Sequence, residues 1–262
     1  MTQRKLLGIR FDAVTRPQAL ERLLALGRKA REDHLPAQLI VTVNVQILII
    51  ARHRYPQLLP IINAAPLVVA DGAPLVVLSR IFGPRLPERV AGSDLIFDIV
   101  EAAANQGLRV YFFGGEEEST KLAIAELQRR YPALQVAGCS CPRVALSPNE
   151  NQLAEEEIMC REITEAHTDI LLVGLGCPKQ ELFVDRNASR LVGMVAIGLG
   201  GSFNFVSGRV RRAPLWVQKI GMEWIYRIIQ EPRRLFMRYF TDAFYLAADI
   251  LAEPFRSGKD DK

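Results

Sequence analysis

Short, unbroken apolar runs alternate along this chain with longer segments whose apolar residues recur at helical spacing. The runs are Leu6–Ile9, Leu39–Val43, Leu67–Ala70, Leu108–Phe113, Leu134–Ala137, Ile170–Val173 and Val192–Ile197. Between them lie helical patterns at Pro17–Glu32, Val45–Arg54, Ser93–Asn105, Ser119–Tyr131, Pro148–Ala166 and Pro178–Arg190. A strand with one wet face alternates apolar and polar residues; a strand covered by helices on both faces does not. The pattern therefore predicts an α/β chain with an open, mostly parallel, Rossmann-like sheet and helices on both faces. Ser119 and Ser147 stand where N-caps belong, and Ser147 is followed by Pro148 and Glu150, as in a capping box. After Gly208 the strand signal stops, and two helical segments follow, Pro214–Gln230 and Pro232–Ala252. The expected organisation is an α/β body over 1–208 and a C-terminal helical appendage over 209–262.

Composition narrows the class. With 49% hydrophobic and 24% charged residues among 262, the chain is neither disordered nor of low complexity. It is long enough to bury a core without staples. The four cysteines, Cys139, Cys141, Cys160 and Cys177, form no C-x-x-C and read as reduced thiols. No run approaches the roughly 18 apolar residues of a spanning helix. The start, MTQRKLLGIRFD, lacks the apolar core of a signal peptide. A cytoplasmic location is the expectation.

The net charge of +4 is unevenly spread. Arg209 to Arg238 holds eight basic residues against Glu223 and Glu231, and half of the chain's aromatic residues lie at or after Phe205. The appendage is basic and aromatic; the body is close to neutral.

Ligands of open parallel sheets bind beyond the carboxyl ends of the strands. There the chain places Thr42 and Asn44, Asp71-Gly72, Gly114-Gly115, Gly176-Cys-Pro178-Lys179-Gln180-Glu181 and Gly200-Gly201-Ser202. Glycine turns let backbone N–H groups approach a phosphate or sugar nucleotide, though each also serves as a plain tight turn. Asp71 emerges at a strand end, either as a general base for a hydroxyl or as a cap on the helix starting at Gly72. Arg89 either neutralises a phosphate or pairs with a local acid. The acidic runs Glu116–Glu118 and Glu155–Glu157 read as solvated helix ends and faces. No D-x-D, complete G-x-G-x-x-G or G-x-x-x-x-G-K-[ST] occurs, so a metal-held diphosphate, a dinucleotide and P-loop chemistry lack their usual marks.

Taken in order, the motifs resemble the WecG/TagA/CpsF glycosyltransferases, glycosyltransferase family 26. They are Thr42-x-Asn44, Ala70-Asp71-Gly72, Arg89-Val-x-Gly92-Ser-Asp94, Phe113-Gly114-Gly115, Gly174-Leu-Gly176-Cys-Pro178-Lys179-Gln180-Glu181 and Gly198-Leu-Gly-Gly-Ser202-Phe203. Ala213-Pro214, Gly221-Met-Glu223-Trp224 and Arg227 before Glu231-Pro232-Arg233-Arg234 continue the series. The resemblance implies an inverting, metal-independent transfer from a UDP-sugar, N-acetylmannosamine or its uronic acid in the best-known members. The implied acceptor is a sugar on a polyprenyl diphosphate, used in cell-surface polysaccharide synthesis. It implies Asp71 as the base and Thr42, Asn44, Arg89 and Gln180 as pocket residues. Gln46 and Asn204 depart from the family's usual Glu and Asp, which leaves the donor sugar open.

Without a metal, arginines must stabilise the leaving diphosphate. Arg227, Arg234 and Arg238 share a helical face if the last two helices run on, and with Arg233 they are the candidates for the acceptor diphosphate. Arg209, Arg211 and Arg212 default to a solvated face. An acceptor anchored in a bilayer brings the enzyme to an anionic surface, the inner face of the plasma membrane. Leu235, Phe236, Tyr239, Phe240, Phe244, Tyr245 and Leu246 are the apolar parts available for peripheral docking. No cofactor and no nucleic acid are expected, and the oligomeric state stays open. A reductase or kinase on another α/β frame is the alternative. An RNA-binding module using Trp216, Trp224 and Tyr226 comes third.

Overall fold

The computed structural model describes residues 5–214, 216–217, 222–230 and 232–256; the side chains of residue 234 and residues 253–256 fall outside that set. Six strands form one parallel sheet in the order β4-β3-β8-β7-β5-β6. They are β3 (Gln38–Val43), β4 (Leu67–Ala70), β5 (Arg109–Gly114), β6 (Gln135–Ser140), β7 (Ile170–Gly174) and β8 (Val195–Gly198). Alternate residues of each inner strand enter two separate cores. Leu39, Val41 and Val43 of β3 go to one and Ile40 to the other; Leu171 and Val173 of β7 likewise go to the first, and Ile170 and Leu172 to the second. Two apolar faces per strand explain the unbroken runs in the sequence.

One core is covered by α2 (Val45–Ile49), α3 (Leu58–Ala64), α4 (Ala73–Phe82), α7 (Glu150–Glu165) and α8 (Lys179–Asn187). The other is covered by α1 (Arg16–Glu32), α5 (Gly92–Gln106), α6 (Glu117–Arg130) and α9 (Ser202–Val206). The appendage contributes α10 (Glu223–Gln230) and α11 (Pro232–Arg256). Its α11 is fastened to the body. Asp249, almost fully buried, bonds Arg52 at 2.9 Å and His53 at 2.9 Å. Tyr245 and Leu246 pack on the first core.

Several local expectations change. The first apolar run is not a strand of the main sheet. It is a two-residue-per-arm hairpin, β1 (Lys5–Leu6) with β2 (Ile9–Arg10), turned by Leu7 and Gly8 at positive φ. Val45–Arg54 is not one α-helix: α2 passes into a π-helical turn at Ile50–Arg54. Ser119 does not cap α6, because the helix starts earlier at an N-cap of Glu116 and Ser119 is buried in its first turn. Ser147 yields to Asn149, which forms a reciprocal capping box with Gln152. Glu156 is not on a solvated face. It is 2% exposed and bonded by Arg186 and Asn187.

Candidate active site

The carboxyl ends of β3, β4 and β8, the β7–α8 loop and the appendage enclose a cleft of about 610 Å³. That is ample for a drug-sized or sugar-nucleotide ligand. Thr42, Asn44, Asp71, Arg89, Gly176, Gln180, Gly200, Gly201, Ser202, Arg227 and Arg238 all line it. Gln46 and Asn204 line it too. A smaller hollow of about 160 Å³ lies beside it, bounded by Gly115, Gly176, Gly200 and Gly201.

Asp71 is placed by backbone bonds on both sides. Its N–H donates to Val43 at 2.7 Å, and Val90 N–H donates to the Ala70 carbonyl at 2.9 Å. The second bond carries the start of α5 beside the end of β4. The Asp71 carboxylate accepts from Gly92 N–H at 3.4 Å. Asp71 therefore does not cap α4, whose N-cap is Gly72 with no side-chain bond; it sits at the N-terminus of α5 instead. Burial pushes its carboxyl up to about 6, with Arg89 and the Gly92 N–H pulling the other way. Such a group is ionised near neutral pH and still basic enough to take a hydroxyl proton.

The rest of the body's half is pinned. Thr42 Oγ1 donates to the Gly198 carbonyl at 3.0 Å. Asn44 accepts from Ile47 N–H at 3.0 Å, capping α2. Gln180 donates to Glu181 at 2.8 Å and accepts from Gly200 N–H at 3.0 Å, so one amide fixes the β8–α9 loop. A Cβ on Gly198 would stand 2.5 Å from the Gln180 amide nitrogen, so only glycine lets Gln180 lie there. Glu181 is fully buried under this loop, and its burial raises its carboxyl above the usual range.

Not every expected residue reaches either cavity. Gly114, Pro178, Lys179 and Glu181 are outside both linings. The Gly114 carbonyl accepts from Thr120 and Cys141, on the side of β6. Arg233 is exposed and outside both linings, and the side chain of Arg234 lies outside the described residues. Residue 231, on which the run-on of the last two helices depends, lies outside the described residues.

Arg89 meets acids rather than open solvent. It donates to Glu223 at 2.9 Å and lies 3.2 Å from Asp94. Arg212 contacts the same two carboxylates, at 2.5 Å and 3.6 Å. This closed ring ties α5 to α10 at the cleft edge, so Arg212 is not on a solvated face. Arg209 and Arg211 are exposed, as that default expects, Arg209 making a surface pair with Glu116 and Glu118.

In the appendage's half, Arg227 lies over Phe205 at 5.3 Å and Arg238 over Tyr239 at 5.2 Å. Neither forms an ion pair among the described residues, and the Nε of each is buried without a hydrogen-bond partner. Half-buried cations held on aromatic faces, each with a buried Nε to spare, suit an anion. Among the described residues no group of three or more His, Cys, Asp or Glu is placed to hold a metal ion. The four cysteines are free.

The model of the Glycosyl transferase WecG/TagA/CpsF family matches residues 4–260. The chain belongs to this family. Two relatives carry the name N-acetylglucosaminyldiphosphoundecaprenol N-acetyl-beta-D-mannosaminyltransferase. The protein of Bacillus subtilis (strain 168) is 30% identical over 202 residues, covering 77% of this chain and 75% of its own. That of Staphylococcus aureus (strain MW2) is 28% identical over 231 residues, covering 88% and 85%. This glycosyltransferase thus has the predicted α/β frame, and the reductase, kinase and RNA-binding alternatives are not favoured. Sequence reasoning missed the contribution of Asp242 to the cleft. A lone acid on an amphipathic helix carries no signal of its own.

Proposed function

We propose that this glycosyltransferase moves an N-acetylmannosamine-type sugar, with inversion, from a UDP-sugar to a sugar on a polyprenyl diphosphate. The relatives' names support the acceptor class and the sugar. One observation carries the reading: a carboxylate raised to about 6 and two arginines without acidic partners line the same cleft. In this reaction the acceptor hydroxyl attacks the anomeric carbon while Asp71 takes its proton. The bond from that carbon to the β-phosphate oxygen breaks, and UDP leaves with its electron pair. Arg89, the cleft-lining cation not engaged by the acceptor, offsets part of that charge without a metal. Thr42, Gln180 and the glycine loop at Gly200–Gly201 hold the donor side; Arg227 and Arg238 hold the acceptor diphosphate.

The reaction takes place on an anionic membrane surface, the inner leaflet of the plasma membrane. No described helix is long and apolar enough to cross a membrane. Support for docking comes from α11, where Phe236, Phe240, Phe244 and Leu251 are 57%, 65%, 68% and 74% exposed. They fall on one helical face, and a contiguous exposed apolar face marks an interaction surface. Leu235 is buried and Tyr245 and Leu246 pack on the body, so the docking face is narrower than the sequence suggested.

The test is transfer from a panel of UDP-sugars to a lipid-diphosphate-linked N-acetylglucosamine in anionic vesicles, with and without excess EDTA. Transfer from UDP-N-acetylmannosamine, undiminished by EDTA, is expected. Transfer lost to EDTA and restored by magnesium or manganese overturns the metal-free mechanism, and no transfer from any donor overturns the function.

A further inference from the structure

Asp242 is a buried acid that the transfer mechanism above leaves without a task. It is 2% exposed and lines the cleft from α11. Among the described residues the ion pair to Asp242 comes from Arg54, whose Nη2 lies 3.8 Å from Oδ1, too far for a hydrogen bond. Oδ1 is buried and has no hydrogen-bond partner among the described residues. Leaving a buried acceptor unserved is costly, more so when it carries charge. Burial also raises this carboxyl above the usual range, with Arg54 and Arg238 opposing the rise.

The position of Asp242 limits what can serve it. Arg238, Asp242 and Leu246 succeed one another at four-residue steps on the cleft face of α11. The exposed phenylalanines occupy the opposite face. One turn and a fraction of helix, about 6 Å of rise, separates Arg238 from Asp242. A diphosphate offers only acceptors and negative charge, so it suits Arg238 and is repelled by Asp242. What Asp242 needs is a donor: a hydroxyl or an amide N–H. Next to a diphosphate seated on Arg227 and Arg238, that donor belongs to the sugar attached to the diphosphate.

We infer that Asp242 is a specificity-determining residue that accepts a hydrogen bond from a hydroxyl or amide N–H of the first acceptor sugar. The inference rests on the acceptor reading proposed above and adds a named contact to it. A site built to bond one polar group rejects the analogue lacking it, because its own buried group is then left unpaired. Asp242 makes the enzyme choose its acceptor sugar rather than accept any lipid diphosphate.

The experiment measures kcat/KM for a set of short-chain lipid-diphosphate N-acetylglucosamine acceptors, each lacking one hydroxyl or the amide N–H. Wild type, Asp242→Ala and Asp242→Asn are compared at fixed UDP-sugar. The hydroxyl that attacks the donor is excluded from the comparison, since its loss stops transfer for any enzyme. In wild type one analogue is expected to fall by about 10–100-fold, the range of a hydrogen bond to a charged group. That selective fall should disappear in Asp242→Ala and shrink in Asp242→Asn, which keeps an acceptor oxygen without the charge. A role confined to holding α11 would lower all acceptors alike and leave their ranking unchanged. A flat wild-type profile, or a ranking unaltered by either substitution, overturns the inference while leaving the transferase reading intact. Failure of both variants to fold assigns Asp242 to anchoring α11 and overturns it as well. If wild type transfers to no lipid-diphosphate acceptor, the function itself has failed, which is a separate outcome.

Discussion

The two halves of the cleft are built on opposite terms. On the body's side the cleft-lining Thr42, Gln180 and Asn44 are bonded, to Gly198, to Glu181 and Gly200, and to Ile47, while beneath them Glu181 Oε2 is buried with no hydrogen-bond partner among the described residues. On the appendage's side the buried Nε atoms of Arg227 and Arg238 and Oδ1 of Asp242 have no partners, and the back of α11 shows phenylalanines to solvent. A satisfied site keeps its geometry before ligand arrives, which is what a chemical step needs. An unsatisfied one is completed by what it binds, which under the proposed function is a charged lipid headgroup and the surface that carries it. The Arg89–Asp94–Arg212–Glu223 ring joins the two.

The strongest test removes the proposed base from the satisfied half. Asp71→Asn is expected to lower kcat by about 10²–10⁴ while UDP affinity, read by calorimetry, stays near wild type. Near-normal turnover in the folded variant would take Asp71 out of the mechanism. Next, Arg227→Ala and Arg238→Ala probe the unsatisfied half. Each should reduce kcat/KM for the lipid acceptor by about 10–100-fold, the weight of one charge-assisted contact. The KM for the donor should not move; a matching rise in donor KM would dissolve the division between halves.

On the outer face, Phe240→Asp with Phe244→Asp should lower binding to anionic vesicles in flotation assays by roughly tenfold or more, given about 1.5–3 kcal/mol for a fully buried large apolar side chain. Turnover of a water-soluble acceptor analogue should be retained, and unchanged flotation would remove α11 from the docking surface. The mildest probe is pH. As the proposed base, Asp71 has to be ionised, so kcat/KM should fall about tenfold per unit below its value of about 6 and level off above it. The same raised value means the folded chain holds this proton more tightly than the unfolded one. Asp71 therefore weakens folding above pH 6 and does nothing below about 4. A profile with no limb near 6 would assign the proton transfer elsewhere.

Legibility along the chain follows how local each cause is. β3, β4, β5 and β7 stood out because two covered faces leave no polar alternation to blur the run. The first run misled because four apolar residues look the same in a strand and in a tight hairpin; the positive φ of Leu7 and Gly8 settles it. The caps of α6 and α7 were misplaced because several polar residues precede each helix, and packing chose Glu116 and Asn149 among them. For the site, strand-end residues were found by position. Glu156 was misjudged because its partners, Arg186 and Asn187, come from another helix.

Sequence alone determined the frame: strands buried on both faces, glycine and polar residues at their carboxyl ends, a basic aromatic tail, and ordered motifs sufficient to indicate the family. Each of these depends on neighbours a few residues apart, or on a pattern carried whole by the chain. Tertiary structure decided which charges are free. Arg89 and Arg212 meet Asp94 and Glu223, Arg52 meets Asp249 across 197 residues, Arg54 comes within 3.8 Å of Asp242, and Arg227 and Arg238 face the cleft with no ion pair among the described residues. An arginine reads identically in sequence whether it is paired or waiting for a ligand. The difference is set by which distant acid folding brings within about 4 Å, where the Coulomb energy of a pair becomes large enough to matter.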